Sequence, residues 1–328
     1  REKLSRGNAT AFMTMRFGER DARQGAKARD SSLLGTSIDT LVKSVGGVIT
    51  MSLQAILEQD FHSRGPNGRG QMRDSGRSLV VAENPEGRGP FVILCDHASN
   101  RIPEAYQSFG FAEDALQTHI AWDPGALAVA RLLSAKLDAP LFWPDASRLI
   151  IDCNRAADAP SLIVTESEGR PVPANRGLDE EERSRRLANI HAPFHDAIDA
   201  CLTRRMSSGR PTALIAIHSF TPVYFGKARP WQVGILFDDD RRLADLLIRE
   251  LETDATLAVG INQPYSPANG VYYTLDRHAQ PQGLPAAMIE IRNDEIGDAA
   301  GQQGWAYRLA DILFAATPSL FESSHAMV

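Results

Sequence analysis

The chain has 328 residues, of which 43% are hydrophobic and 23% are charged, and its formal net charge is −6. This length and composition predict a globular protein with one large α/β domain and additional segments, and the negative charge argues against binding to nucleic acids or anionic membranes. The three cysteines, Cys95, Cys153 and Cys201, are far apart and form no CxxC pair, which argues against a disulfide framework and favours a reducing cytoplasm.

The N-terminal part of the sequence shows little sustained patterning. Residues 32–59 could form one or two helices, whereas residues 62–78 are rich in Gly, Arg and Ser, which is typical of a linker. The basic first 32 residues lack the apolar core of a signal peptide, and no apolar run is long enough for a transmembrane helix. We therefore predict a disordered or weakly structured extension over residues 1–78 and a catalytic domain over residues 79–328.

Strands and helices alternate after residue 79. Continuous apolar strands between helices are typical of a buried, mainly parallel sheet. We predict the α/β class, with a mixed, mainly parallel sheet and helices on both of its faces. The predicted strands are 91–95, 141–143, 148–152, 212–218, 232–237 and 286–292, the predicted helices are 124–137, 179–206, 240–252 and 304–316, and 262–285 is predicted to be a long loop over the site.

Polar side chains follow several of the predicted strands. In open α/β sheets, ligands bind at the carboxyl ends of the strands, and unpaired buried charge is costly, so a repeated pattern of this kind predicts a functional site. The residues concerned are Asp96 and His97, then Asp152, Asn154 and Arg155, then His218 and Ser219, and finally Glu290 and Arg292.

Two histidines at strand ends suggest a transition metal, and a catalytic zinc site usually has a third protein ligand. Asn100 lies three residues after His97, but an amide is a poor zinc ligand. Asp123 is the other candidate, although Asp123 followed by Pro124 is also a good helix start, with the aspartate as N-cap. The residues alone leave both roles of Asp123 open.

Other chemical motifs are weaker. His191 and His195 have the i, i+4 spacing of metal ligands, but the glutamate of an HExxH motif is missing, so a structural or substrate-proximal role is favoured. Ser219 is not part of a GxSxG elbow, which argues against a serine hydrolase. In the segment 262–285, Tyr272, Tyr273 and His278 are all candidates for substrate contact.

Five motifs in their order along the chain resemble the N-formylglutamate amidohydrolase family over roughly residues 90–316. They are CDHASNRIP, AWDPGA, SRLIIDCNR, AIHSFTP and EIRND. The family is similar in fold to zinc carboxypeptidases and to the succinylglutamate and aspartate deacylases. The resemblance therefore implies a fold of the zinc-exopeptidase or phosphorylase/hydrolase type.

The resemblance also implies one zinc ion held by His97, His218 and an acidic residue. The related enzymes carry a glutamate three residues after the first histidine, where this chain has Asn100. Asp123 then becomes the favoured third ligand, because it precedes the next helix, and Asn100 and Asp96 become supporting groups.

Further roles follow from the same motifs. By resemblance, Glu290 is the catalytic base, Arg148 polarises the scissile carbonyl, and Asn154 with Arg155 grips a substrate carboxylate. Ser219 and Arg292, which share motifs with His218 and Glu290, are also assigned to substrate binding. The alternative for Arg148 and Arg155 is a pair of structural salt bridges to Asp152 or Asp158.

The expected function is a cytoplasmic, zinc-dependent hydrolase that cleaves the linear amide bond of an acidic N-acyl amino acid such as N-formylglutamate. The DHASN and WDPGA motifs indicate a divergent branch of the family. The alternatives are a peptidase or deacylase for another acidic substrate and a non-catalytic relative that binds an acidic metabolite.

Overall fold

The computed structural model describes residues 73–74 and 77–322. The predicted extension over residues 1–78 lies outside the described part of the chain, apart from a short hairpin of Arg73–Asp74 and Arg77–Ser78, so it stays a prediction. Among the described helices, none combines the length and apolarity that a membrane crossing needs.

The centre of the molecule is a seven-stranded sheet. In chain order its strands are β1 Val80–Glu83, β2 Phe91–Leu94, β3 Leu141–Pro144, β4 Ala213–Phe220, β5 Val233–Leu236, β6 Val259–Ile261 and β7 Ala286–Arg292. They lie in the order β6-β5-β7-β4-β2-β3-β1 across the sheet, and only the β5–β7 and β1–β3 pairs are antiparallel. The carboxyl ends of β2, β3, β4 and β7 consequently lie at the same edge of the sheet.

Helices cover both faces of this sheet. The α-helices are α1 Glu113–Leu116, α2 Ala126–Leu137, α3 Glu180–Arg186, α4 Ala192–Ser207, α5 Arg242–Leu251, α6 Tyr273–His278 and α7 Ala299–Glu322. Short 3₁₀ helices span Glu104–Phe109, Pro173–Asn175, Pro267–Asn269 and Gln280–Gln282, and small hairpins pair Glu166–Ser167 with Arg170–Pro171 and Val223–Tyr224 with Lys227–Ala228.

The alternation of side chains along β2 divides the core into two layers. Phe91 and Ile93 pack in a cluster with α2, α5 and α7, whereas Val92 and Leu94 pack in a cluster with α4 and α6. All four side chains are fully buried, as expected for a strand covered on both faces. The prediction of a mixed, mainly parallel sheet between two helical layers is confirmed.

The predicted helix over residues 179–206 contains a π-helical turn at Leu187–His191 between α3 and α4. The side chain of Asp179 accepts a hydrogen bond from the amide of Glu182 and caps the start of the run. The amide of Ala192 donates to the carbonyl of Leu187, five residues back. The next residue is Pro193, which has no amide hydrogen to donate, so a wider turn at this point is physically reasonable.

The prediction of a strand over residues 148–152 is wrong, because this segment is an irregular loop. The amide of Arg148 donates to the carbonyl of Ala121 at 3.1 Å, and so bonds to another loop and not to a neighbouring strand. Leu149 and Ile150 are still buried, in two different clusters. A buried loop of this kind has the same apolar pattern as a strand, which is why the sequence pattern predicted a strand here.

Candidate metal centre and catalytic cavity

A cavity of about 320 Å³ opens at the carboxyl edge of the sheet. Strands β2, β4 and β7 and the loop after β3 bring most of the predicted site residues to its wall. These are His97, Asp123, Arg148, Asn154, Arg155, His218, Ser219 and Glu290. Arg292 does not line this cavity; its guanidinium donates to Asp294 at 2.7 Å and to Glu295 at 3.0 Å.

Three buried side chains meet at one point of the wall. His97, Asp123 and His218 each offer one ligand atom, and these three atoms lie within 4.8 Å of one another. Oδ2 of Asp123 is 2.9 Å from Nδ1 of His218 and 3.4 Å from Nδ1 of His97. Among the described residues, this is the group of histidine, cysteine and acidic side chains with the spacing of a metal site.

The other nitrogen of each histidine faces a carboxylate. Nε2 of His97 lies 2.7 Å from Oδ1 of Asp152, and Nε2 of His218 lies 3.1 Å from Oδ2 of Asp96. A carboxylate accepts hydrogen bonds, so Nε2 of each ring donates to it, and Nδ1 is the nitrogen that faces Asp123 and could offer a lone pair to a cation. Carboxylates in this position are typical of metal-binding histidines, whose ring orientation they hold.

Three potential ligand atoms therefore converge on the same point, and a cation is what such an arrangement suits. Nδ1 of His97 is buried without a hydrogen-bond partner. Burial works against charge on His218, yet its hydrogen bonds to Asp123 and Asp96 raise its pKa well above the usual value, so the local field favours positive charge. Two histidines and one carboxylate are also a donor set that zinc accepts in catalytic sites.

The carboxylate of Asp123 interacts with the candidate metal site and does not cap the following helix. Helix α2 has Gly125 at its N-cap and no side-chain cap, which contradicts the capping alternative. The carboxylate of Asp123 instead accepts from His218 and from the amide of Ser219 at 3.2 Å. The amide of Asp123 donates to the carbonyl of His97 at 2.8 Å, which fixes the two ligand-bearing loops together. Asn100, the alternative ligand, donates to the carbonyl of Leu116 at 2.8 Å.

Steric constraints explain why the AWDPGA motif has a glycine at position 125. Gly125 has a φ of +83°, and a Cβ atom at this position would lie 2.5 Å from the carbonyl oxygen of Ile296. We expect Gly125→Ala to lower the free energy of unfolding by about 2–5 kcal/mol, because left-handed backbone costs about 1–2 kcal/mol and overpacking about 1–3 kcal/mol.

Urea denaturation measures this loss, and Gly209→Ala is the matched control. Gly209 also has a positive φ, of +64°, but a Cβ atom there meets nothing within 4 Å. That control should lose only about 1–2 kcal/mol, the backbone part alone. Equal losses in the two variants would contradict the steric explanation for Gly125.

Glu290 is held beside the three candidate ligands by the sheet. In the parallel β4–β7 pair, Glu290 is directly opposite His218. Its Oε2 is buried without a hydrogen-bond partner. Burial raises the pKa of Glu290 to about 7, which suits a group that takes up and gives back a proton at neutral pH.

Arg148 lies between the cavity and the carboxylates behind it. Its Nη2 donates to Oδ2 of Asp152 at 2.6 Å, and its Nη1 is 3.8 Å from Oδ1 of Asp123. Burial alone would raise the pKa of Asp152, but Arg148, His97 and Arg155 outweigh burial and hold that pKa well below the usual value. The ion pair with Asp152 that was the structural alternative for Arg148 is present, and a quarter of the Arg148 side chain remains exposed.

Arg155 has a weaker link to the same carboxylate. Its Nη1 donates to the carbonyl of Asn154 at 2.7 Å and lies 4.0 Å from Oδ2 of Asp152. The guanidinium has five N–H donors and therefore keeps several for a ligand in the cavity. Arg155 therefore forms a weaker ion pair with Asp152 than Arg148 does.

Asn154 and Ser219 already use their side chains within the protein. The amide nitrogen of Asn154 donates to the carbonyl of Val271, and its oxygen accepts from the amide of Thr274 at 3.0 Å. The hydroxyl of Ser219 donates to the carbonyl of Pro124 at 2.9 Å. These contacts hold the segment 262–285 and the Asp123 loop in place.

Several contributors to the site carried no usable signal in the sequence. Thr274, in helix α6, donates its hydroxyl to Oδ1 of Asp96, a residue 178 positions away. Tyr265 lines the cavity, and its hydroxyl accepts from Arg229 at 3.1 Å. His119 and Glu168 pair at 2.6 Å on the cavity wall. The segment 262–285 contributes Tyr265 and Val271 to the cavity wall, and it contains helix α6 and two 3₁₀ helices where a long loop was predicted.

Two comparisons with known proteins found proteins that are similar to this chain. The family model described as N-formylglutamate amidohydrolase matches residues 89–297. The crystal structure of gene product Atu2144 from Agrobacterium tumefaciens is 43% identical, with a TM-score of 0.73, and the match covers 76% of this chain and 98% of that one. N-formylglutamate amidohydrolase from Ralstonia eutropha JMP134 is 20% identical over 74% of this chain and 99% of that one, with a TM-score of 0.57, which shows the fold alone. The comparison with curated proteins gave no match.

Proposed function

This chain belongs to the N-formylglutamate amidohydrolase family, and from that premise we propose that it is a zinc-dependent hydrolase that cleaves the amide bond of an N-acyl amino acid such as N-formylglutamate. The observation that carries the proposal is the convergence of Nδ1 of His97, Nδ1 of His218 and Asp123 beside the buried carboxylate of Glu290.

A zinc ion held by His97, Asp123 and His218 would supply Lewis acidity, which activates water and polarises a carbonyl. Glu290 takes a proton from the attacking water as the C–O bond forms, and it delivers that proton to the nitrogen as the C–N bond breaks. Arg148, whose side chain reaches the cavity, donates hydrogen bonds to the oxygen on which negative charge develops. The products are a carboxylic acid and a free amine.

Arg155 is the residue proposed to bind the carboxylate of the substrate. A guanidinium can bond both oxygens of a carboxylate in one plane. Asn154 precedes it, and its role is to position the loop, because both polar atoms of its amide bond to the segment 262–285. Ser219 holds Asp123 in the same indirect way.

The size of the cavity favours a small substrate over a long peptide. Its volume of about 320 Å³ is bounded by Tyr224, Tyr265 and Val271 and by Val164 and residues 166–168. Ligand cavities of roughly 300–1,000 Å³ suit metabolite-sized to drug-sized molecules. A peptidase that acts on extended chains would need an open groove past these side chains.

The test is an assay of the purified protein with N-formylglutamate, N-formyl amino acids with neutral side chains, and short acidic peptides. Formate or acyl release and the free amino acid are measured together. We expect equal amounts of both products from small N-acyl amino acids. Cleavage of the peptides alone would favour the peptidase alternative, and binding without turnover would favour a non-catalytic relative.

Arg155→Gln should separate substrate binding from chemistry. We expect KM to rise by about 10- to 100-fold with kcat little changed, because a hydrogen bond to a charged group contributes about 1.5–3 kcal/mol. Steady-state kinetics measure both constants. A fall in kcat at unchanged KM would mean that Arg155 acts through Asp152 and does not bind the substrate.

A further inference from the structure

A second buried histidine group lies outside the cavity wall. Nε2 of His195 is 3.1 Å from the carbonyl oxygen of Cys153, Nδ1 of His195 is 2.8 Å from Nε2 of His278, and Nδ1 of His278 is 2.7 Å from Oδ1 of Asp199. Asp199 and His195 are in α4, and His278 ends α6. We call Asp199, His278 and His195 the histidine relay.

The histidine relay needs more protons than two neutral imidazoles carry. Each of its three links requires one hydrogen between the two heavy atoms. The carbonyl of Cys153 and the carboxylate of Asp199 are acceptors, so neither supplies a hydrogen. Two neutral rings supply only two hydrogens, which leaves one link with two facing lone pairs.

We propose that the histidine relay binds one additional proton, shared by His278 and Asp199, and that with this proton it positions the loop of residues 152–155. His195 then donates to the carbonyl of Cys153, while His191 in the adjacent π-helical turn contacts the carbonyl of Arg155 at 2.8 Å. The effect on substrate binding rests on the proposed function of Arg155, whereas the proton count does not.

The groups around the histidine relay favour a position of the additional proton between His278 and Asp199. Burial lowers the pKa of His195 to about 2, so its ring is neutral. Asp199 is about half exposed and has access to solvent. Its second oxygen lies 3.7 Å from Arg277, and the other charged or titratable groups that act on His278 are His195 and Asp96.

The direction of the pH effect follows from these groups. Burial lowers the pKa of His278, and Asp199 opposes that change. The relay is complete at the acidic side of this titration and loses one link as the pH rises through it. The charged carboxylate of Asp199 is then the strongest acceptor, so Nδ1 of His278 donates to it and Nε2 of His278 accepts from Nδ1 of His195, which leaves Nε2 of His195 bare towards the carbonyl of Cys153. The loop of residues 152–155 is then held less firmly, and KM rises.

The Asp199→Asn variant keeps a hydrogen bond to His278 but no longer needs the additional proton. An asparagine NH₂ group can donate to a bare Nδ1 of His278, so all three links are satisfied by two neutral rings. Asp199→Ala removes the partner altogether. Asp196→Asn is the matched control, because Asp196 is an exposed aspartate in the same helix.

The proton is observed directly by ¹H–¹⁵N NMR of histidine side chains from about pH 5 to 8, the range in which histidines titrate. The signals of His278 are identified as those that His278→Gln removes or, if that variant does not fold, as those that Asp199→Asn shifts. In the parent protein and in Asp196→Asn, we expect a His278 ring with two protonated nitrogens at the acidic end. In Asp199→Asn we expect one protonated nitrogen on each ring throughout.

KM is measured over the same pH range. We expect KM to rise by about 2- to 10-fold with pH in the parent protein, which corresponds to the loss of one hydrogen bond. We expect it to stay flat in Asp199→Asn, and also in Asp199→Ala, where two neutral rings supply the two hydrogens that the two remaining links need. One proton per ring at every pH in the parent protein would overturn the proton count. The same KM profile in Asp199→Asn would overturn the positioning role. A protein that hydrolyses no amide would contradict the proposed function, while the NMR signals would still decide the proton count.

Discussion

Asp123→Asn should abolish stoichiometric metal binding and lower kcat/KM by about a thousand-fold or more, since Lewis acidity contributes several kcal/mol and each 1.4 kcal/mol is tenfold. The asparagine keeps the size of the side chain but removes the negative charge that faces both Nδ1 atoms. Metal content per chain is measured by mass spectrometry, and kcat/KM is measured with the best substrate of the parent protein.

Asn100→Ala is the control, because Asn100 stands where related enzymes carry the acidic ligand. Its side chain bonds to the carbonyl of Leu116 and is not part of the converging group. This variant should keep about one metal ion per chain, the number that a catalytic zinc site holds. Loss of metal in Asn100→Ala with retention in Asp123→Asn would reverse the ligand assignment.

Glu290→Gln should lower kcat by about 10²- to 10⁴-fold, the contribution that a positioned general base makes. Glutamine has the shape of the carboxyl group but cannot accept the proton of water. Because Glu290 is beside the converging atoms and is not one of them, the variant should retain its metal. Single-turnover kinetics and metal analysis of the same sample measure both effects.

Glu83→Gln makes the same chemical change on strand β1 at a surface ion pair with Arg131. It should leave kcat unchanged. A Glu290→Gln variant that keeps full activity and its metal would show that another group takes the proton, and the proposed mechanism would then be wrong at this step.

The candidate metal centre could be predicted from the sequence because its residues lie at strand ends or directly before a helix. His97 lies just beyond the end of β2, and His218 and Glu290 lie within the last three residues of β4 and β7. Parallel strands bring such positions together. Asp123 was ambiguous in the sequence. Its carboxylate is assigned by contacts with His218 and Ser219, which lie 95 and 96 positions further along the chain.

The parts that were missed depend on contacts between distant segments without a periodic pattern. The loop at Arg148 was taken for a strand because three consecutive apolar side chains follow it, and each is buried. The amide of Asn154 is occupied by groups that are 117 and 120 positions away. Arg292 shares a motif with Glu290 and, by the alternation of side chains, the same face of β7. It is the last residue of the strand, however, and its guanidinium donates to Asp294 and Glu295 outside the cavity, contacts that the sequence pattern did not reveal.

The central claim is that His97, Asp123 and His218 hold a metal ion that amide hydrolysis requires. The most direct test is to measure the metal bound to the purified protein, remove it with a chelator, and add zinc back while following N-formyl amino acid hydrolysis. We expect about one zinc ion per chain, loss of activity with its removal, and recovery with its return. Full activity in a protein from which all metal has been removed would contradict the claim.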